Sequence, residues 1–293
     1  VRVEPSAEEE NFYYLISNLV SSWAQDNSRP VTKMALRKLL QAAGSSHYAA
    51  LKTLKKMQEQ YPASVGNKLQ PVISAGEKIQ TSSKAKQVLE LLQANSEQKI
   101  VFVNSQSTLD YLQKVCTKHK LTHLVLKGSL SSEKKKETID NFAQGVPLLL
   151  SMDSGGEGHN LQFCHQIINY DLPWNPMQIE QRIGRIHRIG QENEVNIYNF
   201  CATGSLEDKI LDILDRKINM FELVIGEMEM ILGRMQGEQE FSELIYQLWA
   251  DNPDEEAREK AFEKLGTNLK RAKTAHEKSK DLDDKLFQED FGV

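Results

Sequence analysis

A three-layer α/β domain with a mainly parallel sheet, preceded by a helical segment and followed by long helices, is the fold the sequence predicts. Three observations carry that prediction. Short apolar, β-branched runs alternate with helical periods through the middle of the chain. Glycine-rich or polar text follows several of those runs. The flanking segments show only the three-to-four-residue period of amphipathic helices.

Taken in order, residues 8–25, 31–43 and 46–59 have helical spacing. The Pro-, Gly- and Ser-rich stretch "PASVGNKLQPVISAG" (62–76) reads as a linker, with a boundary near it. "KIVFVNS" (99–105) is a strand, and Leu109, Leu112 and Val115 or Cys116 mark the helix after it. "THLVLKG" (122–128) is a second strand, followed by a helix over 131–145 with Ser131 as N-cap and Gly145 past its end. "VPLLLSM" (146–152) and "HQIINYD" (165–171) are the third and fourth strands. Asn175 and Pro176 then open a helix as N-cap and first residue, and "EVNIYNFCA" (194–202) closes the series as a strand. Beyond it, Ser205 and Asp208 form a capping box. Ile210, Leu214, Phe221, Val224, Met228 and Ile231 follow in near-heptad spacing, interrupted by Lys217, as one long helix. The charged stretch 251–290 is expected to be helical on a partner or loosely ordered. The expected division is therefore 1–80 helical, 81–204 the sheet domain, 205–250 a long helix and 251–293 a charged tail.

The 293 residues are 40% hydrophobic, enough for a sizeable core. No run approaches the roughly 20 apolar residues of a membrane span, so no membrane partner is expected. The first residue is Val1 rather than Met, which suggests a piece of a longer chain. Cys116, Cys164 and Cys201 are too scattered for a disulfide framework or a metal pair, and point to a reducing, intracellular setting. His119 and His123 lack a third ligand nearby, so no metal is expected. The net charge of -5 is uneven: residues 205–293 carry 13 Lys/Arg against 22 Asp/Glu, whereas 1–98 carry 12 against 9. The acidic total therefore does not exclude a polyanionic partner.

Ligands of open α/β sheets gather beyond the carboxyl ends of the strands. Asn104 and Ser105 follow the first strand here, and Lys127, Gly128 and Ser129 the second. "SMDSGGEGHNLQ" (151–162) follows the third, where Gly155, Gly156 and Gly158 either let backbone N–H groups approach an anion or simply make a turn. In "QIEQRIGRIHRIGQE" (178–192), Arg182, Arg185 and Arg188 recur every third residue, and Ile183, Ile186 and Ile189 follow in the same rhythm. Residues three apart on a helix stagger by about 60°, which would fan the arginines over one face and seat the isoleucines on the sheet. Such a row is either a solvated basic face or a set of rigid, permanently charged phosphate clamps.

The blocks "LKGSLSSEKKKETIDNFAQG", "LLLSMDSGGEGHNLQ", "INYDLPWNPMQIEQRIGRIHRIGQ" and "VNIYNF" resemble the second RecA-like lobe of the Swi/Snf family, helicase-like ATPases of superfamily two that translocate on DNA. The resemblance is strong over 81–216. It extends more weakly to the N-terminal helices, like those joining lobe one to lobe two, and to the brace-like helix after 205. It implies that Gln181, Gly184, Arg185 and Arg188 face the nucleotide, with Arg185 and Arg188 as finger arginines. Asp153 to Asn160, with Gly156, Glu157 and Gly158, would couple nucleotide to DNA backbone. Asn104, Ser105, Lys127, Gly128, Ser129, Ser151, Trp174 and Asn175 match positions that touch one strand's phosphates, although Trp174 could instead be buried where the helix begins. His159 departs from the family's more usual leucine. No G-x-x-x-x-G-K-[ST] occurs, so the residues that bind Mg-ATP are expected in a first lobe outside this sequence. The implied ligands are ATP with Mg. The implied partners are double-stranded DNA, the first lobe and a possible protein on the acidic C-terminal helices, in the cytoplasm or nucleus. A non-hydrolysing scaffold and an RNA-helicase lobe are the alternative readings.

Overall fold

The structure, a computed structural model, describes residues 1–26, 31–156, 160–187, 190–220, 226–233 and 240–291. Five parallel strands form the central sheet: β2 (Lys99–Val103), β3 (Leu124–Leu126), β4 (Leu148–Met152), β5 (Gln166–Asn169) and β6 (Asn196–Asn199), in the order β3-β4-β2-β5-β6. Val101 is in register with Leu150 on one side and Ile168 on the other. Alternate residues of β2 enter different cores. Val101 and Val103 face α5 (Ser83–Ala94) and α6 (Gln106–Lys118), while Ile100 and Phe102 join Phe142 of α7 (Ser132–Ala143) on the opposite face. Both faces are covered, which explains why the strands are apolar without interruption. β1 (Arg2–Val3) pairs in parallel with β7 (Cys201–Ala202) as a separate two-stranded sheet.

The local start signals behave as the chemistry requires. Ser131 accepts from the Lys134 N–H and Asn175 from the Met177 N–H, and Gly145 takes a left-handed φ of 106° just after α7. At Ser205 only half of the box forms. Ser205 accepts from the Asp208 N–H, but the Asp208 carboxylate accepts from Gly204 instead.

Two expectations are corrected. Residues 62–76 are not a linker but helix α4 (Pro62–Gly76), with Pro62 in its first turn and Pro71 inside it. Val65, Leu69, Val72 and Ile73 form a buried stripe on this helix, and that tertiary burial overrides the weak local propensity. Nor is 205–250 one helix. It comprises α10 (Leu206–Asp212), a π-helical turn (Ile213–Lys217), α11 (Glu227–Gly233) and most of α12 (Phe241–Asp251). Asn219 at φ 45° and Gly226 at φ 99° end the run, and residues 221–225 lie outside the described residues. The charged stretch forms a single helix, α13 (Glu255–Phe291), that buries Phe262, Leu265 and Leu269.

The flanks are one body. The N-terminal helices α1 (Ala7–Gln25), α2 (Lys33–Ser45), α3 (His47–Gln60) and α4 share a continuous apolar core with α10, α12 and α13. Trp249 of α12 donates to Ser17 of α1 at 2.9 Å. Among the described residues, no helix is long and apolar enough to cross a membrane.

Where these flanks meet the sheet, Glu207 is buried against Gly44, and its Oε1 accepts the Trp174 indole N–H at 3.1 Å. Burial pushes this carboxyl above its ordinary 4.5, and the charge of Lys84 pulls it only partly back. The folded state therefore holds the proton more tightly than the unfolded chain. The contribution of Glu207 to stability is greatest below the ordinary value and falls as pH rises past it. Glu207→Gln keeps an acceptor for Trp174 and is expected to melt higher than the parent at about pH 7.5, with the gap closing toward about pH 4.5. A variant that melts lower at the higher pH would contradict this assignment.

Candidate functional site

The loops after β2, β4 and β5 meet at one edge of the sheet, where β2 is flanked by β4 and β5 and the chain passes to either side of it. Arg182 joins them. It lies near the end of α9 (Pro176–Ile183) with 0% exposure, and each of its five N–H donors has an acceptor. Nε and Nη2 grip the Asp153 carboxylate at 2.7 and 2.8 Å. Nη1 donates to Asn169 Oδ1 and the Asp171 carbonyl, both at 2.9 Å, and Nη2 also to Asn104 Oδ1 at 2.6 Å. The guanidinium stacks over the Phe102 ring at 5.2 Å.

The network runs on through its acceptors. Asn169 donates to Asn199 on β6 at 2.7 Å. Asp171 accepts from the Asn104 N–H at 3.0 Å and from Ser45 of α2 at 2.9 Å, and pairs with buried Lys84 of α5 at 3.3 Å. Four strands and two outer helices therefore converge on one set of charges.

The expected row of arginines on a single helical face is corrected accordingly. The helix ends at Ile183, and Gly184, Arg185 and Ile186 follow in a turn. Arg182 is a buried structural ion, whereas Arg185 comes to rest beside the loop after β4 with 7% exposure. Its Nη2 donates to the Asp153 carbonyl at 3.1 Å, and its own carbonyl accepts from the Leu161 N–H at 3.1 Å. Ile186 packs in the core beneath Phe102, while Ile183 packs with the flanking helices, so the isoleucines serve two cores rather than one. Gln181 is exposed at the same edge. Arg188, Ile189, Glu157, Gly158 and His159 lie outside the described residues.

The glycines act differently from a phosphate cradle at the position that can be judged. Gly155 lies in the short helix α8 (Asp153–Gly156), where a Cβ would come within 2.5 Å of the Leu126 carbonyl oxygen. Opposite it, a Cβ on Gly128 would come within 2.8 Å of Ser154 Oγ. These two glycines let the loops after β3 and β4 touch, which brings Lys127 against Gly155 and Gly128 against Ser154.

The other nominated residues divide into two groups. Asn104, Ser105 and Asn175 line a cleft of about 450 Å³, and Gly128 and Ser129 are exposed nearby. Ser105 also caps α6, accepting from the Thr108 N–H at 3.1 Å. Ser151 is corrected: it lies inside β4 with no exposure, and its hydroxyl donates to the Met152 carbonyl. The Trp174 indole is buried too, held by Glu207, so its ring takes the structural alternative.

Sequence reasoning missed Asn169 and Asp171 as partners of Arg182. The signal was present, since both are polar residues in or just after an otherwise apolar strand, and a buried polar side chain requires a partner. It also missed Glu180, a buried carboxylate on α9 that accepts from the Gly226 and Met228 N–H groups at the start of α11.

Residues 83–190 match the family described as the helicase conserved C-terminal domain. The chain is 37% identical over 240 residues to the uncharacterized ATP-dependent helicase YqhH of Bacillus subtilis (strain 168), a match spanning 80% of this chain and 42% of that protein. It is 32% identical over 147 residues to the DNA repair and recombination protein RAD54-like of Drosophila mojavensis, spanning 48% and 19%. The chain carries a helicase C-terminal domain and is homologous to Swi/Snf-type ATP-dependent helicases, whose C-terminal RecA-like lobe it fits. The architecture of this helicase lobe and its helices is similar to the C-terminal part of the Fun30 ATPase domain, with a TM-score of 0.55 at 19% identity over 84% of this chain and 95% of that one. That likeness concerns the fold alone. The chain spans less than half the length of the helicases it matches.

Within the helicase lobe, removing Arg182 would strand the Asp153 charge and leave the buried Asn169 Oδ1 without its donor. Arg182→Ala is expected to cost about 3–5 kcal/mol, read as a lower urea midpoint. Arg182→Lys is expected to recover little, because three ammonium donors cannot replace five fixed ones. A midpoint near the parent's for Arg182→Ala would show that the network does not hold the edge together.

Proposed function

We propose that this lobe is half of an ATP-hydrolysing, duplex-DNA-translocating enzyme, and that it offers Arg185, Arg188 and Gln181 to Mg-ATP held by a first lobe outside this sequence. The observation that carries the proposal is the convergence at the switch point of the sheet. Arg185, Gln181 and the loops after β2, β3 and β4 sit on one edge, around a guanidinium network too costly to bury without a reason. Bound Mg-ATP supplies the transferable phosphoryl group and a metal that draws off negative charge.

The residues of this chain contribute orientation and positive charge. When the lobes close, the Arg185 side chain leaves the Asp153 carbonyl and turns toward the γ-phosphate, where a rigid planar cation stabilises charge that develops in the transition state. Gln181, exposed one turn earlier, orients the attacking water in this reading. Gly156, Glu157, Gly158 and Gly184 border the nucleotide. Asn104, Ser105, Lys127, Gly128, Ser129 and Asn175 meet phosphates of one DNA strand, so affinity is salt-sensitive and largely indifferent to sequence. Because Asp153 touches both arginines and Asn104 shares Arg182, a shift at the nucleotide side reaches the DNA side through two side chains.

The test is ATP turnover by the longer parent protein, with and without duplex DNA. Arg185→Ala and Arg188→Ala are each expected to lower DNA-stimulated turnover by roughly a thousandfold or more, while the same changes leave this chain folded by circular dichroism. The chain by itself is expected to hydrolyse nothing measurable. Normal turnover by either arginine variant would overturn the finger role. Absence of turnover from the unaltered parent would favour a non-hydrolysing scaffold.

A further inference from the structure

The cleft that holds Asn104, Ser105 and Asn175 has a second wall that no sequence pattern nominated. It is α2, which presents Arg37, Lys38 and Gln41 along one side. Lys38 is exposed, and Gln41 lies three residues further along the helix, near the same face. The two walls are complementary in chemistry: amides and a hydroxyl stand opposite two cations and an amide. The Ser105 hydroxyl already donates to Thr108, and the Asp153 carboxylate on the same lining is held by Arg182, but the amides and the two cations can donate hydrogen bonds, and a phosphodiester, which only accepts, matches them better than a neutral ligand.

On this wall Arg37 is already met by groups of the opposite sign. Arg37 donates to Ser242 at 2.8 Å and to Glu243 at 3.3 Å, and lies 3.6 Å from Glu240. Glu243 also pairs with Lys33 at 2.5 Å. A hydrogen bond from Lys33, assisted by its charge and that of Arg37, holds the Glu243 carboxyl below its ordinary value, so it is ionised at neutral pH. These pairs are partly exposed, with side-chain exposures of 25% for Arg37, 25% for Glu243 and 62% for Glu240. Ion pairs of that kind contribute little. A phosphate that engages the Arg37 fork can therefore displace them.

We propose that the cleft is a DNA-backbone site extended by the N-terminal helices. Arg37, Lys38 and Gln41 bind the phosphates that Asn104, Ser105 and Asn175 approach from the other wall, and Glu240 and Glu243 of the C-terminal helices compete with DNA for Arg37. The proposal rests on the reading of this lobe as a duplex-DNA binder and adds to it a second wall and an internal competitor. The C-terminal helices thereby set how strongly the lobe grips DNA. Because the competitor is a carboxylate pair on the same chain, its effect does not depend on protein concentration.

The test is fluorescence anisotropy of a labelled duplex of mixed sequence with the 293-residue chain, across a salt series. Glu240→Gln with Glu243→Gln is expected to tighten binding by roughly two- to fivefold, the scale of partly exposed ion pairs. Lys38→Gln, a change at an exposed side chain, is expected to weaken binding and reduce the slope of log affinity against log salt by about 0.9. Arg37→Gln is expected to do the same and to abolish the gain from the glutamate changes. Asn104→Ala serves as the reference for the first wall. If Asn104→Ala weakens binding while the Lys38, Arg37 and glutamate variants match the parent, the second wall is wrong and the DNA reading stands. If the parent binds no duplex, both fail. Equal tightening of single-stranded RNA by the glutamate variants would also overturn the proposal as a duplex site.

Discussion

A guanidinium moved out of water costs several kcal/mol unless every N–H finds an acceptor and the charge finds a counter-charge. Arg182 meets both conditions, and doing so dictates where much else must be. Asp153 has to lie at the end of β4 with both oxygens turned toward α9, Asn104 has to turn its carbonyl inward from β2, and Asn169 has to point across β5. Each of these demands fixes a loop beyond the sheet. Gly155 and Gly128 then bring the loop after β3 against the loop after β4, because no side chain fits between them. This edge is held together by charge compensation as well as by packing.

The flanking helices are tied to the same centre. Asp171 reaches Ser45 and Lys84, the Trp174 indole reaches Glu207, and Glu180 caps the start of α11 from the helix that carries Arg182. Burial pushes the Glu180 carboxyl up, while the two backbone N–H groups it receives pull it down, so the contact depends on α11 staying in place. A displacement of the C-terminal helices thus bears directly on α9. In the proposed mechanism this provides a physical route by which elements far along the chain influence Arg185, without any ligand contact of their own. The N- and C-terminal helices share one apolar core.

Much of this was legible in the sequence, unevenly and for identifiable reasons. Caps at Ser131, Asn175 and Ser205 could be read because their chemistry spans three residues. Strands could be read because a sheet covered on both faces leaves continuous apolar runs such as Ile100 to Val103. Helix α4 could not, since Pro62, Gly66 and Pro71 imitate a linker and only contacts with distant helices reveal the buried stripe. The break after Lys217 was hidden because the heptad spacing continues across it, whereas the backbone turns at Asn219. In the site, the arginine rhythm was visible but its meaning was not. Three similar residues at equal spacing look equivalent, and Arg182 is set apart from the likewise buried Arg185 by its partners Asn169 and Asp171, which lie elsewhere in the chain.

That distinction, a structural Arg182 beside an Arg185 proposed to reach phosphate, is open to direct observation. The decisive measurement is a crystal or cryo-electron structure of the longer parent protein with ADP and a phosphate-mimicking metal fluoride. The expected result places an Arg185 Nη within about 3 Å of the fluoride, with Arg182 still gripping Asp153 and Asn104. A structure in which Arg182 releases Asp153 and itself reaches the nucleotide, or in which Arg185 keeps its bond to the Asp153 carbonyl, would contradict the division of roles.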